Sequence, residues 1–247
     1  MRKCLFIPAI IFITTQNAYI SSQDKNDLAN RWQLTDTLIR DNRIDRESAL
    51  DSLRTYIKIA EEYCKKVGVI FTNRKDWVFP ISGCTKTEYR SGGKDYKDET
   101  FDYFQGGEYG GHPAHDIFIL DNDSNGIEDV TGKPVEADAM VSGIIFSVYN
   151  LWQPDNILRS GNYVKLFDPE SKAIFYYSHL DSVTVKIGQI VKAGDKVGIV
   201  GRTGRKAFRG KTHLHIAYYR FDNGYPKPVD ILNELLEAEN RKGGIKK

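Results

Sequence analysis

The chain changes texture once, near Trp77, and that change restricts its fold more than any other feature. From Asp24 to about Lys66 there is no glycine or proline, and Ala49, Leu50, Leu53, Tyr56, Ile57, Ile59, Ala60 and Tyr63 recur at helical spacing between charged residues. One or two long helices are expected there. From Trp77-Val78-Phe79-Pro80 to about Asp230, short apolar runs alternate with Gly-, Asp- and Asn-rich breaks. Residues 117–120, 144–148, 163–167, 173–177, 196–200 and 213–221 have the composition of strands. Many short strands with turn residues between them predict a mainly β fold, an antiparallel sheet or sandwich-like domain behind a helical N-terminal region. Residues 231–240 predict a short closing helix.

A formal charge of +2 over 247 residues is too small to argue for a nucleic-acid partner. The basic end, Arg241-Lys242 to Lys246-Lys247, has the character of a solvated tail. At the other end Arg2 and Lys3 precede an uncharged run from Cys4 to about Thr15, followed by Gln16-Asn17. A basic start before a short apolar run is the layout of a secretory signal peptide, and the run is short for a membrane span. The expected division is a signal peptide over 1–22, a helical region over 23–76, the β domain over 77–232, and a short helix with a basic tail over 233–247. Export to the periplasm, the cell envelope or the medium follows, with membrane contact only if the first segment is retained. Export would leave Cys64 and Cys84, which in an oxidising compartment either pair or stay as two separate buried thiols. Pairing would close a loop of about twenty residues and contribute roughly 3 kcal/mol.

All five histidines fall in three short clusters: His112-Pro113-Ala114-His115-Asp116, Tyr177-Ser178-His179-Leu180 and Thr212-His213-Leu214-His215-Ile216. Imidazole and carboxylate are the usual ligands of a catalytic zinc, which takes three protein groups and keeps a fourth position for water. On an extended segment His112 and Asp116 share a face and His115 points the other way. His213 and His215, two apart, also share a face. Three of these four groups suffice for a His, Asp, His ligand set, leaving one histidine beside the open position.

His-x-x-x-Asp, then Tyr-x-His-Leu, then the stretch from Val185 to Gly204 with Val-Lys-x-Gly-x-x-Val-x-x-Gly-Asp and Gly-Arg-Thr-Gly, then His-Leu-His, is similar in its order to the lysostaphin-type zinc endopeptidases. The likeness runs from about Phe79 to Ile231. It implies an antiparallel sheet crossed by a long groove, with one zinc at the groove floor and peptidoglycan peptides as substrate. It also implies His112, Asp116 and His215 as zinc ligands, His179 and His213 as catalytic histidines, and zinc-activated water as the nucleophile. His115 departs from the pattern, and a non-ligand role is expected for it. Glycines 106, 107, 110 and 111 precede His112 and suit either a backbone that approaches substrate closely or a plain turn.

Residues 121–129 place Asp121, Asp123, Asn125 and Asp129 around Gly126, which resembles the opening of a calcium loop. The twelfth position is Gly132, where a bidentate Glu would be required, and a hairpin loop of good turn formers is the alternative. Three functions compete at this point. The first is a zinc endopeptidase acting on cell-wall cross-links. The second is a non-catalytic peptidoglycan-binding or regulatory protein on the same fold. The third is a calcium-dependent carbohydrate-binding sandwich with structural histidines.

Overall fold

The computed structural model describes residues 27–105 and 111–243. The expected signal peptide, glycines 106, 107 and 110, and the last lysines lie outside the described residues. Helix α1 runs through residues 27–40, and helix α2 follows at Arg46–Lys66. Asp45 caps α2 by accepting the Ser48 N–H at 2.9 Å. Glu47 in the first turn and Lys65 and Lys66 in the last complement the helix dipole. The helix stops at Gly68, whose φ of 73° favours glycine.

The strands are β1 (Ile81–Ser82), β2 (Thr87–Tyr89), β3 (His115–Ile119), β4 (Glu136–Asp138), β5 (Gly143–Tyr149), β6 (Asn162–Asp168), β7 (Ala173–Leu180), β8 (Ser182–Val183), β9 (Ile190–Val191), β10 (Lys196–Ile199), β11 (His213–Asp222) and β12 (Tyr225–Pro228). Helix α3 (Leu232–Gly243) closes the described chain. The larger sheet has the order β2-β3-β11-β7-β6-β5-β9 with β12 also on β11, and the smaller one is β1-β4-β10-β8. Every neighbouring pair among these strands is antiparallel.

Both faces of the large sheet are covered, and strand alternation decides what each face meets. Ile117, Leu166, Phe175, Tyr177, Leu214, Ile216 and Tyr218 pack toward the small sheet and α3. Ile144, Phe146, Phe167, Ile174, Ala217 and Tyr219 pack toward α1 and α2, where they meet Trp32, Leu53 and Ile57. Trp32 stacks on Phe146 with ring centroids 4.2 Å apart. Each fully buried side chain of this size contributes roughly 1.5–3 kcal/mol by leaving water. The helices therefore share a core with the sheet.

A buried polar cluster ties α1 to the sheet. The Asp36 carboxylate accepts from Ser147 Oγ at 2.6 Å and Tyr103 Oη at 3.0 Å, and it pairs with the Lys165 ammonium. Cys64 and Cys84 are both free thiols. Cys64 lies in the core under α2, whereas Cys84 packs on the core across the large sheet, so the sheet stands between them.

Candidate metal centre

Three strands of the large sheet build the site. In register, Asp116 of β3 stands opposite His215 of β11, and His215 stands opposite Ser178 of β7. Along β11, His213 and His215 have the parity of Ala217 and Tyr219, so they point to the face that α1 and α2 cover further along. The site and the helical layer share one face of one sheet.

His112 lies just before β3, where a bridge to Lys97 holds the chain and Pro113 precedes the first ladder pair. Its Nε2 is 3.1 Å from Asp116 Oδ1, and His215 Nδ1 is 2.8 Å from the same oxygen. The ligand-capable atoms of His112, Asp116 and His215 all lie within 4.8 Å of one another. Two imidazole nitrogens and a carboxylate oxygen at that spacing fit a catalytic zinc that keeps one position open. Asp116 is 4 % exposed, yet its bonds from His112 and His215 outweigh burial and hold its carboxyl far below the usual range. Burial alone would lower the His112 pKa, but Asp116 and Asp95 override it and raise it.

His179 reaches this face by an exception to alternation. Tyr177 and Leu180 both point into the opposite core, and simple alternation would send His179 there too. The ladder with β6 skips between Asn162 and Val164, and His179 takes a φ of 62°. That bulge, with its left-handed residue, turns the imidazole toward His213, the two ring centroids lying 4.9 Å apart. Two glycines make room for it. A Cβ on Gly161 would stand 2.2 Å from the Thr203 carbonyl carbon. A Cβ on Gly204 would stand 2.4 Å from Arg159 O and 3.0 Å from His179 Nδ1.

The two histidines outside the ligand group are oriented alike. His179 Nδ1 lies 2.8 Å from Thr203 O, and His213 Nδ1 lies 2.7 Å from Lys211 O. A carbonyl can only accept, so each Nδ1 carries the hydrogen and Nε2 is left as the basic nitrogen. Burial, together with the neighbouring histidines, pulls His179 down to about 3, and burial also lowers His213. Both are neutral at pH 7. All four site histidines and Asp116 line one cavity of about 430 Å³.

His115 lies on the other face and is fully buried. Its Nδ1 is 3.1 Å from Asp95 Oδ1 and its Nε2 is 3.0 Å from Asp230 Oδ1. Asp95 also accepts the Asp116 N–H at 2.9 Å, and its backbone carbonyl accepts from His112 Nδ1 at 3.0 Å. One residue thus holds the backbone of one candidate ligand and the ring of another. Arg90 adds a guanidinium 2.9 Å from Asp116 Oδ2. Sequence reasoning missed both Asp95 and Arg90, which lie among turn residues with no periodicity or motif to mark them.

The acidic loop brings Asp121, Asp123 and Asp129 within the same 4.8 Å limit. Its oxygens already have local partners. Asp121 accepts from Asn125 N, Gly126 N and Thr212 Oγ1, Asp129 accepts from Asn122, and Asn125 Oδ1 accepts from Ile127 N. Thr212 directly precedes His213, so the loop braces the start of β11.

Residues 124–230 match peptidase family M23. Over that segment the chain is similar to M23 peptidases. The match takes in His179, His213 and His215 and begins after Asp116, so the remaining part of the site is supplied by the register of β3 on β11. No curated protein matches the chain. LytM of Ruminococcus gnavus, named as a glycyl-glycine endopeptidase, shares 20% identity over 88% of this chain and 87% of its own, at a TM-score of 0.48. The catalytic domain of lysostaphin from Staphylococcus simulans shares 25% identity over 61% and 92%, at 0.40. A zinc-containing peptidase from Vibrio cholerae shares 22% over 68% and 40%, at 0.39. The M23 resemblance rests on the family match over residues 124–230.

Proposed function

We propose that this protein is an exported zinc-dependent endopeptidase that cuts peptide cross-links of bacterial peptidoglycan. The observation that supports it best is the convergence in one cavity of a His, Asp, His donor set and two neutral histidines that expose Nε2. A zinc ion held by His112, Asp116 and His215 would supply Lewis-acid chemistry, polarising the scissile carbonyl and lowering the pKa of water.

The chain's own groups do the rest. Asp116 balances positive charge at the site, and Asp95 fixes its backbone and the His112 ring. His179 or His213, neutral and with Nε2 toward the cavity, accepts the proton that the attacking water loses and returns it to the leaving amine. The walls of the cavity, including Phe118 and Tyr176, restrict water around the reacting amide.

Export rests on the N-terminal sequence, and no helix among the described residues is long and apolar enough to cross a membrane. A protein that only bound peptidoglycan would have no use for two oriented, neutral histidines beside a metal-ligand set. The test is digestion of purified peptidoglycans of different cross-link chemistry, followed by mass spectrometry of the released peptides. New amino termini at cross-links, lost on chelation and regained with zinc, are expected. Intact cross-links in every substrate would overturn the proposal.

A further inference from the structure

Arg90 reaches the metal site through the strand pairing that carries Asp116 there. β2 runs antiparallel to β3 with Tyr89 opposite Ile117, so Arg90, the next residue along, comes opposite Asp116. Residues opposite each other in such a pair project from one face of the sheet. The chain then leaves the sheet at once, with Ser91, Gly92 and Gly93 at φ of 52°, 63° and 84° in succession. That turn brings Asp95 back to accept the Asp116 N–H at 2.9 Å. One short segment thus grips Asp116 twice, at its backbone through Asp95 and at its carboxylate through Arg90.

The two carboxylate oxygens are divided between different partners. Oδ1 faces the histidines, with His215 Nδ1 at 2.8 Å, His112 Nε2 at 3.1 Å and His213 Nε2 at 3.9 Å. Oδ2 accepts from Arg90 Nη1 at 2.9 Å. The Arg90 side chain is half exposed and lines the metal cavity, whereas the carboxylate it holds is buried.

We propose that Arg90 is a positioning residue that reserves Asp116 Oδ2, so that the carboxylate meets zinc through Oδ1 alone. This role rests on the zinc peptidase reading and adds to it the group that keeps the fourth position of the ion open. A carboxylate with both oxygens free can close on a metal with both, and the second oxygen would then crowd the position that a catalytic zinc keeps for water or substrate. The guanidinium is never deprotonated in a protein, so it also places a fixed positive charge beside the site, where negative charge develops on the substrate. Lysine can supply that charge and a donor, although without the planar fork; methionine supplies neither.

The experiment compares wild-type protein with Arg90→Met and Arg90→Lys, each loaded with zinc for assay and with Co2+ for visible absorption spectroscopy. Arg90→Met should bind zinc at least as tightly as wild type, because both oxygens of Asp116 become available. Its cobalt bands should weaken and shift as the coordination number rises from about four to about five. Its kcat on peptidoglycan should fall by about 10–100-fold with KM little changed. Arg90→Lys should keep the wild-type spectrum and most of the activity. A wild-type cobalt spectrum in Arg90→Met, or zinc bound about tenfold more weakly, overturns the proposal, since Arg90 would then only support the fold around Asp116. The spectrum needs no turnover. If wild-type protein leaves every cross-link intact, the peptidase reading falls alone and the cobalt bands still decide the role of Arg90.

Discussion

Replacing Asp95 by Asn changes one oxygen to an amide and tests how this site is held. The carboxylate uses Oδ1 for His115 Nδ1 and Oδ2 for the Asp116 N–H, and both partners are donors. His115 lies between two carboxylates, so its pKa is raised against the effect of burial and both ring nitrogens carry hydrogen. An asparagine has one acceptor oxygen and an NH2 group. Either the Asp116 N–H then faces the NH2 group, or His115 gives up its Nδ1 proton and its charge-assisted bond and accepts from the amide instead. An unsatisfied buried donor costs about 1–3 kcal/mol, and a charge-assisted bond is worth about 1.5–3 kcal/mol. Destabilisation of about 2–4 kcal/mol is expected at pH 7. The Asp116 backbone also loses an anchor, so zinc affinity should fall by about 10–100-fold. Urea unfolding gives the first quantity, and competition with a chromophoric chelator gives the second. Stability within about 0.5 kcal/mol of wild type, with unchanged zinc affinity, would refute the reasoning.

Zinc binding requires neutral His112, whose pKa is raised above 6.5, so protons compete while the pH is still above that value. Affinity titrated from about pH 8 to about pH 5.5 should start to fall above the ordinary histidine pKa; a flat profile to about pH 6 would contradict this. Asp168 is fully buried, and burial lifts its carboxyl from 3.8 to about 6. The native state then binds a proton before the unfolded chain does, so this group favours folding as pH falls from about 6 to 3.8 and opposes it at neutral pH. Asp168→Asn should add at most about 3 kcal/mol at pH 8 in denaturant unfolding, with the gain gone near pH 3.5. A loss at pH 8 would sink that account. Gly204→Ala, at φ 106°, would push on Arg159 and His179. Peptidase activity should drop at least about tenfold with zinc still bound, and full activity would show that His179 tolerates displacement.

The β domain and its face assignments were legible because strands alternate. His213 and His215 share a face, and His115 points away from Asp116. Alternation fails at His179, where a bulge and a left-handed residue reverse the side chain, and only the ordered motif marked it. Asp95 and Arg90 were not legible. Both lie just after β2, where Ser91 and Gly92 take left-handed φ and no period links a residue to its partner. The pairing of Cys64 with Cys84 was an open question in sequence because it depends on which face of the sheet each segment covers. Nor does the helical periodicity of the first segment say that its apolar stripe would lie on the metal side of the sheet.

The central claim is the division of the four site histidines into ligands and proton carriers. Its most direct test compares zinc content and peptidoglycan hydrolysis in His215→Ala and His213→Ala. The account predicts that His215→Ala loses both zinc and activity, whereas His213→Ala keeps about one zinc per chain and loses activity by about 10²–10⁴-fold. Loss of zinc in His213→Ala, or zinc and full activity in His215→Ala, would contradict it.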